Sequence, residues 1–367
     1  MSDNMILELN SVRRDAEFGD GNIKRTSPVV EVFAAIANGE SLNRFGAKAD
    51  KAVDYIKKLG ERANNGDGAA VSELNAIRRF TIEPLLLEEI KLLSTFGNYT
   101  PIGFGDSIER EVYTHAGDKS RMQAPNGDVV FPAIQKTKYP VAPVTVSGGY
   151  VVDYRAVAAG NLAKENEGME QVRRDIRNKA ALYIVKVVYN AVKNATGVKY
   201  WGEASGINQT ALDNIVKNVR RFGKTTIIGD YSTVSQINNF AGWTDGTNFG
   251  ISDAAMEEIR KTGLLGMYKG SIVRELENPF NLTEVKNGNF VPYLPEGLML
   301  ILPAGANSPV QTWNRGGLTS MTGNDPATGH VMSRFDMEIA ADVAKGREFQ
   351  IGLMNDTALT PAAEYAI

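Results

Sequence analysis

The chain has 367 residues, enough for two or three domains, and its 43% hydrophobic and 23% charged residues are those of a folded globular protein. A net charge of −3 excludes the strong basic excess of proteins that hold nucleic acid by charge alone. The absence of cysteine excludes thiol catalysis, disulfides and thiolate metal sites, and only His115 and His330 could serve in histidine chemistry. We expect a cytoplasmic product without a membrane span, because no apolar run is long enough and the acidic N-terminus is unlike a signal peptide.

Residues 1–98 are predicted to be mainly helical. Pro28 is a suitable first residue of a helix, and apolar residues at helical spacing predict further helices over residues 41–59 and 69–96. Pro84 is expected to kink or divide the last of these, because proline has no backbone N–H to donate. No catalytic pattern falls in this region, so we expect a helical arm or subdomain whose role is interaction.

Residues 99–153 change to a period of two, which predicts strands. One strand covers about 108–115, a return strand covers about 129–134, and the polar stretch 117–128 between them predicts a hairpin with a long tip. Because these strands carry few apolar residues, we expect the hairpin to reach a ligand or another subunit. The candidate contact residues at its tip are Lys119, Arg121 and Met122.

The longest helical pattern runs from Gly168 to Thr196, with an apolar face and no proline. At 1.5 Å per residue it would be roughly 40 Å long, which exceeds the usual length of a helix in a globular domain. Its polar side carries more bases than acids, which indicates either a solvated face or a basic strip that faces a polyanion. The candidate strip residues are Arg173, Arg174, Arg177 and Lys186.

The C-terminal half predicts alternating helices and strands. A helix is expected to end near Gly223, and Asp230 is expected to cap another that runs from Tyr231 to Phe240. Residues 312–330, rich in Gly, Asn and Thr, predict an irregular loop, and the chain is expected to close with two paired strands. The predicted strands are 224–229, 267–276 and 298–303, with 334–340 and 348–354 as the closing pair.

No motif of ordinary catalysis is complete. The GKT sequence at 223–225 resembles the end of a phosphate-binding loop, but the glycine required five residues earlier is absent and the helix precedes the strand. The GFG sequence at 103–105 lacks the third glycine of a dinucleotide fingerprint. His115 and His330 each lie near one acid, a pattern that surface histidines share. We therefore predict no catalytic, cofactor-binding or metal-binding residue, and no cofactor.

The order of these parts resembles the major capsid proteins of tailed bacteriophages, whose HK97-like fold is shared with encapsulins. In that family an N-terminal arm leads into an extended hairpin loop, then into a long spine helix, then into an axial domain of sheet and helices. Residues 104–140 resemble the extended loop, and the GYVVDYR sequence at 149–155 resembles the strand that enters the spine. Residues 262–273 and 295–303 resemble segments of the axial domain.

The resemblance implies an α+β, HK97-like capsid fold and a structural protein that is not an enzyme. It implies self-assembly through pentamers and hexamers into an icosahedral shell around double-stranded DNA, with scaffold, portal and decoration proteins as further partners. It places the chain in a virion that is assembled in the host bacterial cytoplasm. Two alternatives stay open: an encapsulin-like compartment with protein cargo, and a soluble α/β enzyme or binding protein with an unrecognised site.

The resemblance also implies five segments. They are a helical arm or scaffold-like region (1–98), an extended β-hairpin loop with its entry strand (99–153), the spine helix of the peripheral domain (154–199), an axial domain (200–330) and a strand pair that returns to the peripheral domain (331–367).

Overall fold

The structure is a computed structural model that places most of the chain in two compact units. The first unit comprises Met1–Leu92, Val144–Ala180 and Asn314–Ile339, and the second comprises Leu93–Pro143, Ala181–Trp313 and Ala340–Ile367. The residues that the structure describes are 28–37, 40–92, 96–115, 122, 125, 134–153, 162–197, 200–240, 257, 261–281, 286, 288, 290–304, 308–325 and 330–359.

Six helices and twelve strands are named within these described ranges. The helices are α1 (Pro28–Ala37), α2 (Ala47–Asn64), α3 (Gly68–Leu92), α4 (Leu162–Lys193), α5 (Gln209–Val219) and α6 (Tyr231–Val234). The strands are β1 (Asn98–Ile102), β2 (Glu109–His115), β3 (Ile134–Pro140), β4 (Val144–Asp153), β5 (Tyr200–Ala204), β6 (Thr225–Gly229), β7 (Met267–Tyr268), β8 (Ser271–Glu275), β9 (Leu298–Pro303), β10 (Val310–Asp325), β11 (His330–Val343) and β12 (Gly352–Asp356).

Helices α1, α2 and α3 pack together in the first unit. Helix α1 begins at Pro28, which confirms the predicted start. Helix α3 continues through Pro84 to Leu92, so the predicted division at this proline is wrong. Ile77, on the same helix, is buried, because the apolar side chains of α3 face the helical core. Packing of that face supports a helix even where one backbone hydrogen bond is missing.

Helix α4 is the predicted long helix, and it has 32 residues, from Leu162 to Lys193. It therefore begins six residues before the predicted start at Gly168 and ends before Gly197. At 1.5 Å per residue its length is about 48 Å. Its buried side chains recur at spacings of three and four from Met169 to Val192, for example at Ile176, Ala180 and Ile184. The amphipathic spacing thus identified the helix, and only its ends were displaced.

A four-stranded sheet has the order β1-β10-β11-β4. Residues 312–330 were predicted to form a loop, and this is wrong because most of them lie in β10 and at the start of β11. Cross-strand hydrogen bonds and the burial of Trp313 and Leu318 outweigh the loop-like composition. Gly316 and Gly317 have φ angles of 74° and 71°, a region that favours glycine, so these residues mark an irregularity within a strand.

A six-stranded sheet in the second unit has the order β5-β12-β9-β6-β8-β7. Strand β12 runs parallel to β5 and antiparallel to β9, and all five of its residues are buried. The prediction that it pairs with the strand before it, now β11, is wrong, because β11 belongs to the four-stranded sheet. The turn at Lys345-Gly346 leads into a short 3-10 helix, Glu348–Gln350, and directs the chain to the other sheet. The backbone groups of a buried strand need hydrogen-bond partners at both edges, and β5 and β9 provide them.

The core of the second unit lies between α5 and the six-stranded sheet. Gly352 of β12 faces Ile215 of α5, and a Cβ atom there would overlap the Ile215 side chain. We expect Gly352→Ala to lower the free energy of unfolding by about 1–3 kcal/mol, because overpacking displaces the helix. Chemical denaturation measures this. Gly68→Ala is the matched control, since a Cβ at Gly68 meets nothing within 4 Å. An equal effect of the two substitutions would contradict the expected overlap.

Candidate functional site

The predicted hairpin is present, and its two strands pair from Glu109↔Pro140 to His115↔Ile134. One face carries a ladder of ion pairs: Lys136 and Lys138 lie 2.5 Å and 2.8 Å from Glu111. Their hydrogen bonds to Glu111 hold the pKa of its carboxyl below the usual range and raise the pKa values of both lysines. Opposite charges across neighbouring strands favour this register over one shifted by a residue.

The opposite face of the hairpin is anchored to the body of the second unit by Arg110. Its guanidinium is buried, donates to the Pro309 carbonyl at 2.9 Å and to the Gln311 side chain, and lies 5.9 Å from the Trp313 ring centroid. Burial lowers the pKa of this guanidinium. Next to it, Ile108 packs with Trp313 in a small apolar cluster. The base of the hairpin is therefore held in a defined position by both polar and apolar contacts.

Tyr139 adds a second anchor on the return strand β3. Its hydroxyl donates to Asp342 at 2.7 Å and accepts from the Lys345 amide at 3.3 Å, while the Lys345 ammonium lies 4.5 Å from the ring centroid. Burial raises the pKa of Asp342, and burial together with Asp342 raises the pKa of Tyr139 to about 12. Arg347 donates to the Tyr113 carbonyl at 3.3 Å. Both strands of the hairpin are thus fixed to the end of β11 and the segment after it.

The hairpin tip is where the sequence places the candidate contact residues. Met122 is described and its side chain is fully exposed. Lys119 and Arg121 lie outside the described residues, as do residues 129–133 of the predicted return strand. That strand is observed from Ile134 onward as β3. A role of the tip in contacts between subunits stays a prediction.

The candidate basic strip on α4 divides into two parts. Arg173 is ion-paired with Glu170 at 2.7 Å, whereas the Arg174 side chain is 70% exposed and lies 4.0 Å from the same carboxylate. Arg177 is half-buried and donates to Asn178 at 3.4 Å. Lys186 follows Arg173 by thirteen residues, which places it about 140° away around the helix axis. The structure therefore groups the three arginines and separates Lys186 from them.

Among the residues that the structure describes, no group of three or more His, Cys, Asp or Glu side chains could hold a metal ion. No helix among the described residues combines the length and the hydropathy that a bilayer crossing requires.

Residues 9–355 match the profile of a protein family described as "SPbeta prophage-derived putative capsid protein YonB". The chain belongs to this capsid protein family. Family membership confirms the capsid function that the order of elements predicted, and it places the chain among the structural proteins of virions. The six helices and three sheets, with a hairpin and a long helix among the described elements, confirm the predicted α+β class. No curated protein matches the chain.

Several solved structures are similar to the chain at low identity. The mature capsid of bacteriophage PhiM1 is 9% identical with a TM-score of 0.47, and the match covers 71% of this chain and 85% of that one. The capsid of cyanophage P-SCSP1u is 10% identical with a TM-score of 0.48, over 70% and 86% of the two chains. A virus-like particle from Pyrococcus furiosus is 10% identical with a TM-score of 0.44, over 75% and 97%.

Sequence reasoning missed the anchors of the hairpin. Arg110 stands between Ile108 and Val112 in the alternating pattern, so a charged residue occupied a position that faces inward. That position was the available signal, because an inward arginine needs buried acceptors. The acceptors themselves, Pro309 and Gln311, are about 200 residues away in sequence. No local pattern identifies them.

Proposed function

We propose that this chain is the major capsid protein of a tailed bacteriophage, and that it self-assembles through pentamers and hexamers into an icosahedral shell around double-stranded DNA. The observation that carries the proposal, beside family membership, is the hairpin that is anchored at its base and exposed at Met122. The hairpin overlays a neighbouring subunit, and the helical arm adds further contacts. Closed symmetry repeats each of these contacts around the shell.

The anchored base explains how a hairpin with few apolar residues can serve in assembly. Arg110 and Tyr139 fix both strands before any neighbour is bound. A pre-ordered element loses less conformational entropy when it binds than a flexible one does. The ion-pair ladder on the other face keeps the two strands in register without adding an apolar surface that would aggregate.

The remaining partners follow from the same proposal. The protein has a structural role and is not an enzyme, it is assembled in the host bacterial cytoplasm, and scaffold, portal and decoration proteins act on its shell. The net charge of −3 supports weak contact with DNA, because a strongly basic lining would trap a genome during packaging. Residues 1–98 act as an arm or scaffold-like region.

Electron microscopy of the recombinant protein, beside size-exclusion chromatography, tests the proposal. Closed shells or tubes of megadalton mass are the expected result. A small oligomer with a defined ligand pocket would overturn the capsid function and support the enzyme or binding-protein alternative. Nucleic acid and protein in the purified shells are then measured, since specific protein cargo would support an encapsulin-like compartment and DNA would support a capsid.

The arginine group on α4 is proposed to face the lumen of the shell. We expect Arg174→Glu to change the amount of DNA retained in particles while shells of normal size still form, because Arg174 is exposed and its ion-pair contact is long. DNA content per particle, by absorbance ratio and by microscopy, measures this. Lys179→Glu has the same charge change on another exposed side of the helix and is the control. Loss of shells in the Arg174 variant alone would show that this surface is an intersubunit contact.

A further inference from the structure

A basic groove lies on the surface of the second unit, away from the hairpin and outside every site that the sequence singled out. It has a volume of about 430 Å³ and lies between the C-terminal end of α5, the 3-10 turn that follows, and the turn between β7 and β8. Its charged lining is four cations and one carboxylate, a net charge of +3 in a chain whose total is −3. The charged residues are Asp213, Lys217, Arg220, Arg221 and Lys269.

Lys269 occupies an unusual backbone conformation at the rim of this groove. Its φ is 47°, and among the described residues it is the one non-glycine residue with a positive φ. Gly270 follows with a φ of 78°, so the turn has two successive left-handed residues, where Asn or Gly normally takes the first position. A lysine there costs free energy, and such a cost persists where the surroundings hold the residue in place.

The surroundings do hold it in place. Arg220 donates to the Lys269 carbonyl at 2.7 Å, and the Lys269 ammonium lies 2.6 Å from Asp213. Tyr268 donates to the other oxygen of Asp213 at 2.7 Å and thereby fixes the carboxylate. These contacts attach the turn to the end of α5. They also direct the Lys269 charge toward the groove.

Three of the four cations that line the groove are not neutralised by an ion pair among the described residues. Asp213 neutralises Lys269, whereas Arg220 donates to a neutral carbonyl. Lys217, Arg220 and Arg221 are exposed, and no described carboxylate forms an ion pair with them. A helix C-terminus favours cations in its last turn, which accounts for Lys217 on α5 and for the two arginines in the 3-10 turn after it. It does not account for Lys269, which comes from a different element and is held in a strained conformation.

We propose that this groove binds the phosphodiester backbone of double-stranded DNA inside the shell. The inference rests on the proposed function and adds the site and the ligand group. Guanidinium groups pair with phosphate oxygens in a bidentate manner, and an adjacent ammonium adds a point charge. With about three phosphates neutralised per subunit, binding is weak and falls steeply with salt, with a slope of about −3 in log K against log salt. Weak contacts of this kind hold a genome in place and still release it.

The binding of unassembled wild-type subunits to a short duplex is measured by fluorescence anisotropy over a range of salt concentrations. We expect a salt slope of about −3 and a loss of affinity of about tenfold or more in the double variant Lys217→Glu with Arg221→Glu. The control is Lys57→Glu with Lys58→Glu, which makes the same charge change at two exposed positions on α2. Thermal unfolding of all three proteins verifies that the variants are folded.

The possible outcomes distinguish duplex DNA from other anions as the ligand, and they distinguish this inference from the proposed function. Equal affinity of the groove variant and the α2 control for duplex would overturn the inference. Inorganic phosphate that competes with the duplex at low millimolar concentration would indicate a site for small anions and would also overturn it, as would equal binding of polyglutamate. Shell formation is scored separately by microscopy, so shells without a groove effect reject this inference alone. A groove effect without any shells rejects the proposed function alone.

Discussion

Replacing Arg110 with alanine is expected to lower the free energy of unfolding by about 3 kcal/mol and to prevent normal shell assembly. The substitution leaves the Pro309 carbonyl and the Gln311 side chain without their donor and opens a cavity beside Trp313. Release of a buried charge offsets part of this cost, because burial already disfavours the charged guanidinium and lowers its pKa. Denaturant unfolding of the unassembled subunit measures the first effect, and electron microscopy measures the second.

A change at an exposed position of the same hairpin, opposite Val112, is the control for this prediction. Thr137 is exposed on β3, so Thr137→Ala keeps the anchor and is expected to leave both unfolding and assembly close to wild type. Arg110→Lys separates charge from shape, since lysine retains the charge but cannot reach both acceptors as a planar fork. Normal shells from Arg110→Ala would show that the anchored base is not required for assembly.

Replacing Asp356 with alanine is expected to destabilise the second unit by about 3 kcal/mol or more. Asp356 is buried at the end of β12, where its carboxylate accepts from the Gly206 amide at 2.7 Å, the Gln236 side chain at 2.8 Å and the Ala358 amide at 3.0 Å. Three donors lose their acceptor at once, and hydrogen bonds to a charged group are stronger than neutral ones. Thermal or denaturant unfolding measures the loss. Asp106→Ala, which removes an exposed carboxylate in a turn of the same unit, is the control.

Asp356 is also expected to make the free energy of unfolding depend on pH in a defined direction. Burial raises the pKa of Asp356, but the hydrogen bonds from Gln236, Gly206 and Ala358 outweigh burial and hold the pKa below the usual value. A carboxyl whose pKa is lower in the folded chain than in the unfolded chain stabilises the fold. This stabilisation is complete above the pKa of the unfolded chain, about 3.9, and is lost as the pH falls below it. The stability difference between wild type and Asp356→Asn is therefore expected to be constant above about pH 5 and to shrink below about pH 4. A difference that grows on acidification would contradict this assignment.

Local patterns predicted the elements well where apolar spacing was strong. The start of α1 at Pro28, the long helix α4 and the strand β2 followed from periodicity or capping alone. The Asp230 cap of α6 is also observed, with its carboxylate accepting from the Ser232 amide at 2.8 Å. These features depend on residues within a few positions of one another, so a single sequence contains the information that specifies them.

Predictions failed where the local amino-acid composition indicated one structure and contacts with residues far away in sequence imposed another. Strand β10 has the composition of a loop, yet β1 and β11 pair with it on both sides. Strand β12 follows β11 by a short turn, yet it inserts between β5 and β9 in the other sheet. In both cases the deciding hydrogen bonds come from strands far away in sequence. No local window contains that information.

The sequence alone determined the order of arm, hairpin, long helix and α/β body, and that order was enough to indicate a capsid protein. Hydrophobic periodicity, and the glycine and proline residues that end helices and strands, are signals that extend over only a few residues. They can therefore be recognised without the tertiary structure. Only the tertiary structure decided that Arg110 anchors the hairpin and that Lys269 joins Lys217 and Arg221 in one groove. Those groups are brought together by long-range burial and strand pairing, and their partners lie about 50 to 200 residues away.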